Sequence, residues 1–243
     1  MKFAIAAAAL LAVLGVATPV AAQIPTSTQD IVRTTSPPAR SEIALTDEVF
    51  RDLIECVIRY QGARTRNLLG TIPGTHQEAT LLGSFDSRMN SCYDYARNGG
   101  RALTFSSELL RGFIAQAYLR RDFPNGVAAA TNVTPEAAAT WTRPRPGEGR
   151  ISQIEMLHST ARCVMVRQPA TVDTLLRTAP LSAEERAAMR TLQPDLAACL
   201  DSGVEFSASR QALRGLLAEA AFHYGAAQRD GFAQPGETAA RAE

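Results

Sequence analysis

The chain has 243 residues, with 25 basic and 24 acidic side chains and a formal net charge of +1. Lys2 is the only lysine, so beyond residue 22 arginines and acids balance, and the arginines are scattered among the acids rather than gathered in a stripe. This excludes the basic footprint of a nucleic-acid binder, and the near-total use of arginine, with abundant alanine, points to a GC-rich genome rather than to a partner.

Residues 1–22 begin with Lys2, continue as an apolar run from Phe3 to Val16 and end on the small residues Val20-Ala21-Ala22. That order predicts a secretory signal peptide cleaved after Ala22. The apolar run is shorter than the ~20 residues a membrane span needs, and no long apolar run follows. The expected protein is therefore exported, periplasmic or extracellular, without a membrane span once the signal peptide is removed. Residues 23–44, rich in Thr, Ser and Pro, read as a disordered leader.

From residue 45 the chain carries a repeat. Cys56-Val57, Gln61, Ala63, Leu68-Leu69, Thr71, Pro73, Glu78 and Cys92 recur 107 residues on as Cys163-Val164, Gln168, Ala170, Leu175-Leu176, Thr178, Pro180, Glu185 and Cys199. The match resumes at an offset of 103, where Gly100, Ser106, Leu110-Arg111-Gly112, Ala115 and Ala117 face Gly203, Ser209, Leu213-Arg214-Gly215, Ala218 and Ala220. Apolar residues within each copy step at helical spacing, as in Leu82, Phe85, Met89 and Cys92. The expected helices are 46–61, 62–71, 76–96 and 106–120 in module 1 (45–120), then 152–167, 169–178, 183–200 and 209–225 in module 2 (151–225). Thr75-x-x-Glu78 and Ser182-x-x-Glu185 are capping boxes, Ser106 and Ser209 are caps of the last helices, and Pro169 suits a first turn. Pro194 should kink or break its helix. Gln61 and Gln168 are expected to hydrogen-bond the backbone between the first two helices of each copy. The linker, 121–150, reads as mostly irregular, with one short helix from Thr134-Pro135-Glu136 and with Trp141 as a pin to a module; 226–243 reads as a flexible tail.

The fold class is all-α: two tandem, homologous four-helix modules. Four cysteines allow three pairings. The repeat favours Cys56–Cys92 with Cys163–Cys199, one disulfide per module, as suits an oxidising compartment and a thin core.

The matched phrases, Cys-Val, Leu-Leu-x-Thr-x-Pro-x-[Ser/Thr]-x-x-Glu, a second Cys and Leu-Arg-Gly, resemble those of uncharacterised exported alphaproteobacterial proteins with tandem paired-cysteine helical modules. The resemblance spans about 50–120 and 157–225. It implies export and the tandem modules, and carries over no activity and no catalytic residue.

Candidate chemistry is sparse. No HExxH, GxSxG, GxxxxGK[ST], EF-hand, GxGxxG, CxxC or CxxCH pattern occurs. His76, His158 and His223 have no histidine at the matched positions, Ala183, Arg51 and Arg120, so neither a metal site nor a nucleophile–histidine pair is expected, and no cofactor. The capping boxes account for Glu78 and Glu185. Arg111 and Arg214 lie within amphipathic helices, each followed by a glycine that costs about 1 kcal/mol relative to alanine. That suggests close helix–helix approach, or room beside the arginine. Each arginine then forms a structural ion pair in its own module or offers its fork to an anion. The expected function is a non-enzymatic scaffold or interaction protein of the cell envelope, with an envelope protein as candidate partner and nucleic acid excluded. The alternative is a small-molecule or anion binder using a groove near Arg111 or Arg214. A hydrolase ranks third.

Overall fold

A computed structural model describes residues 40–85, 92, 106–127, 133–145, 149–200 and 208–230. The expected signal peptide, most of the expected leader and tail, and the tyrosines at 93 and 95 lie outside them. The described residues form eight α-helices and no strand: α1 (Arg40–Gly70), α2 (His76–Gly83), α3 (Ser107–Asp122), α4 (Pro135–Thr142), α5 (Arg150–Arg167), α6 (Pro169–Arg177), α7 (Ala183–Cys199) and α8 (Arg210–Asp230). The fold is all-α, with disulfides Cys56–Cys92 and Cys163–Cys199.

Capping follows the sequence. The hydroxyls of Ser106 and Ser209 accept from the N–H groups of Leu109 and Ala212, and those of Thr75 and Ser182 from Glu78 and Glu185. The glutamates of the two boxes reach one residue further back than the motif predicts, accepting from the N–H groups of Gly74 and Leu181 at 2.6 and 2.7 Å. Both of those residues have positive φ, 80° for Gly74 and 63° for Leu181.

Several boundaries differ from expectation. α1 starts at Arg40, inside the expected leader, but its helical backbone is interrupted at Gln61 (φ −136°, ψ 32°), so Arg40–Gly70 is two helices meeting at a kink on the expected boundary between 46–61 and 62–71. The same conformation at Gln168 (φ −135°, ψ 53°) separates α5 from α6. The two junctions differ in the residue that follows: Gly62 keeps an N–H, whereas Pro169 has none. The two glutamine side chains do not bridge backbone; Gln61 accepts from Arg64 and Gln168 from Thr171. α7 continues through Pro194. Pro194 and Arg190, whose carbonyl loses its helical donor, are both exposed, so water can take that bond. α8 extends to Asp230 and buries Ala227, so the expected tail begins as helix.

The most extensive helix pair is α3 with α8, which joins the two halves. α3 also packs on α1, α8 packs on α5 and α6, and α7 closes over α5 and α6. The linker helix α4 sits on α5 through Trp141, which is fully buried, 5.6 Å centroid to centroid from Tyr224, with its carbonyl accepting from Arg162 Nε. Tyr118 of α3 holds the α1 kink, its hydroxyl donating to the Gly62 carbonyl at 2.8 Å.

Candidate functional site at the crossing of α3 and α8

Gly112 and Gly215 meet where the two helices cross. A Cβ built on Gly112 would lie 2.5 Å from the Gly215 Cα, and one built on Gly215 would lie 3.3 Å from the Gly112 Cα. The glycines thus permit an approach that no larger residue allows at Gly112, and they bring the neighbouring arginines across to the opposite helix.

Arg111 is completely buried. Its Nη1 donates to the Leu68 carbonyl at 2.6 Å, to Thr71 Oγ1 at 2.9 Å and to Glu78 Oε1 at 3.3 Å. Nη2 donates to the carbonyls of Leu69 and Thr71, both at 3.2 Å, and to Glu219 Oε1. Nε completes a bidentate fork on Glu219 at 3.0 Å. Arg214 repeats the pattern at matched positions: Leu175 carbonyl at 2.9 Å, Thr178 Oγ1 at 3.3 Å, Glu185 Oε1 at 3.1 Å, and the carbonyls of Leu176 and Thr178 at 2.8 and 2.9 Å. Its Nε donates to Gln116 Oε1 at 3.3 Å. The four residues singled out from the sequence therefore form two matched ion pairs, Arg111–Glu78 and Arg214–Glu185. Each guanidinium donates to helix-end carbonyls of its own half and, through Nε, to the opposite helix.

The cross-helix partners were missed. Glu219 and Gln116 stand at matched positions, five residues after each arginine; that single acid-for-amide difference was the available signal. Around Glu219 the fold also gathers two histidines from α5 and α8, with His158 Nδ1 at 3.8 Å and His223 Nε2 at 3.6 Å. Burial pushes the His158 imidazole down to about 4, against the pull of Glu219, and also lowers His223. Burial acts to raise the Glu219 carboxyl, but the Arg111 guanidinium and the two histidines outweigh it and hold Glu219 well below the usual carboxylate range. Glu78 goes the other way, because burial exceeds the effect of Arg111. A second buried network joins Glu155 to Arg145 at 2.7 Å and to Arg162 at 2.6 Å.

On the Gln116 side the crossing opens into a groove of about 580 Å³ between α3 and the end of α6. Phe113, Leu119, Phe123, Leu176 and Pro180 form apolar walls, while Arg51, Arg120 and Arg177 bring cationic side chains and Asp173 an acid. Arg120 faces Glu55 at 3.6 Å, with both side chains about half exposed, and Arg177 is paired with Asp173 at 2.8 Å. Among the described residues no group of three or more His, Cys, Asp or Glu side chains could hold a metal ion, and no helix is long and apolar enough to cross a membrane.

Comparison with protein-family models, with curated proteins and with solved structures finds no match to this chain.

Proposed function

We infer that this chain is an exported, non-enzymatic helical scaffold or interaction protein of the cell envelope. The observation that carries the reading is where the buried charge goes. Arg111, Arg214, Glu78, Glu185 and Glu219, and separately Arg145, Glu155 and Arg162, are joined to one another and to backbone carbonyls inside the fold. A catalytic acid, base or nucleophile needs a partner within reach of a substrate. Here His158 and Glu219 are almost fully closed from solvent, and the open groove is lined by arginines, apolar side chains, Gln116, one paired aspartate and Thr178, whose hydroxyl is bonded to the Leu175 carbonyl and to Arg214. The two disulfides suit an oxidising compartment, and the charged-then-apolar start of the chain suits export.

The test has two arms. Thiol trapping after fractionation of the producing cell should find all four cysteines oxidised in the envelope or external fraction; reduced cysteines in the cytoplasmic fraction would refute export. The purified oxidised protein should leave generic ester, peptide and phosphate substrates unturned. Turnover abolished by one substitution that preserves the circular dichroism spectrum would sink the non-enzymatic reading.

A further inference from the structure

The two sides of the α3–α8 crossing carry different charges at matched positions. On the α8 side, Glu219 sits among Arg111, His158 and His223 and is sealed inside the fold. On the α3 side, the position of Glu219 is taken by Gln116, and the positions of the two histidines by Arg51 and Arg120. A carboxylate is thus exchanged for a neutral amide, and two imidazoles for two permanent cations. This side is also the open one, since Gln116, Arg51 and Arg120 all line the groove. Arg51 has no carboxylate partner among the described residues, and Arg120 has only an exposed one, Glu55 at 3.6 Å. The Arg120 guanidinium is depressed below its usual value, by burial first and then by the like charge of Arg51, although Glu55 opposes this.

We propose that the groove binds an amphiphilic monocarboxylate, such as a medium-chain fatty acid, with its carboxylate between Arg51 and Arg120 beside Gln116 and its chain along Phe113, Leu119 and Phe123. The head restores, from outside, the carboxylate that the other half carries as Glu219. A guanidinium pair matches the planar, two-oxygen geometry of that group. The volume of about 580 Å³ lies within the range of small-ligand sites, and the mostly apolar walls ask for a hydrocarbon body. The proposal uses the groove on the Arg214 side, but Arg214 holds the scaffold while Arg51 and Arg120 meet the ligand. It stands apart from the scaffold reading, because binding requires no turnover.

The experiment is isothermal titration of the purified oxidised protein with decanoate below its micelle concentration, beside decanol, acetate and decyl phosphate. Decanoate should bind one to one, at least ~10-fold more tightly than the other three. Arg51→Ala with Arg120→Ala, two exposed positions, should weaken decanoate at least ~10-fold while leaving the circular dichroism spectrum unchanged. Gln116→Glu should do the same by supplying the carboxylate from the chain itself. Absence of decanoate binding, equal binding of decanol or acetate, or tighter binding of decyl phosphate would overturn the proposal. So would a Gln116→Glu protein that folds and binds decanoate like the parent.

Discussion

Replacing Gly112 with alanine adds one methyl group at the closest approach of α3 and α8. The new carbon would lie 2.5 Å from the Gly215 Cα, 3.1 Å from its carbonyl carbon and 3.3 Å from its oxygen. Carbon atoms pack at about 3.5–4.0 Å, and the obstacle is backbone that cannot rotate away. The helices must therefore part by about 1 Å. Overpacking of this kind costs ~1–3 kcal/mol or more. The displacement also stretches the Nε bond from Arg111 to Glu219, now 3.0 Å, beyond hydrogen-bonding range. Breaking a buried pair costs about 3–5 kcal/mol when one charge is left alone, and partial loosening costs part of that. Against these losses stands a helix-propensity gain of about 1 kcal/mol. The net expectation is a loss of about 3 kcal/mol, a large share of the ~5–15 kcal/mol that holds an ordinary domain together. Gly215→Ala is the internal control. Its added carbon meets the Gly112 Cα at 3.3 Å, a conflict of a few tenths of an ångström that the propensity gain nearly offsets, so its net change stays within about 1 kcal/mol. Urea unfolding followed by far-ultraviolet circular dichroism measures both. A Gly112→Ala protein as stable as the parent, or a Gly215→Ala protein that is the worse of the two, would refute the close-approach argument.

Leu181 holds the same turn as Gly74 with φ 63°, a conformation that costs an L-residue about 1–2 kcal/mol. Leu181→Gly should therefore raise the urea midpoint, with a gain of up to about 1 kcal/mol; a lower midpoint would show that the side chain's packing outweighs its strain. His158 stays neutral in the fold down to about pH 4, whereas the unfolded chain protonates near 6.5. Its stabilising contribution is complete above pH 6.5 and is lost as pH falls toward 4, a decline on the order of 3 kcal/mol. His223 adds in the same direction, and His158→Gln should flatten the slope of stability against pH in that window; an unchanged slope would assign it elsewhere. Each disulfide closes a span of 36 residues, so Cys56→Ala with Cys92→Ala, or Cys163→Ala with Cys199→Ala, should cost about 4 kcal/mol. A marked inequality between the two pairs in urea unfolding would mean that local packing, rather than chain entropy, sets the value.

Helical spacing, caps and the repeat made most of the fold legible. Leu110, Ile114 and Ala117 are buried as their spacing implies, and so are Leu216, Leu217 and Ala220. The pairing of cysteines followed from the requirement that each copy close on itself. The glycine after each arginine signalled a close approach, although not which helix would be approached. What escaped the sequence depends on chain segments meeting in space. Glu219 and His158 are 61 residues apart, and nothing local in either marks a partner. Pro194 does not break its helix, because the carbonyl it frees, on Arg190, lies on a stretch that faces water. The boundary at Gln61 was legible, as was its match at Gln168, and both residues leave the helical conformation in the same way.

The matched contacts explain how one framework carries two unequal sides. Arg111 and Arg214 each fasten a Leu-Leu-x-Thr helix end and a capping glutamate. Those interactions lie within one half, so both copies of the motif must keep them for each half to close. The contacts from Nε cross between halves, Arg111 to Glu219 and Arg214 to Gln116. Residue i meeting j while j's counterpart meets i's is the arrangement of a two-fold interface, here drawn within a single chain. Within one chain the two crossing contacts are encoded separately, so they need not stay alike. One side is a buried carboxylate–imidazole cluster, and the other an amide beside two arginines at the mouth of a groove. The asymmetry, rather than the shared frame, is where a binding function has room to arise.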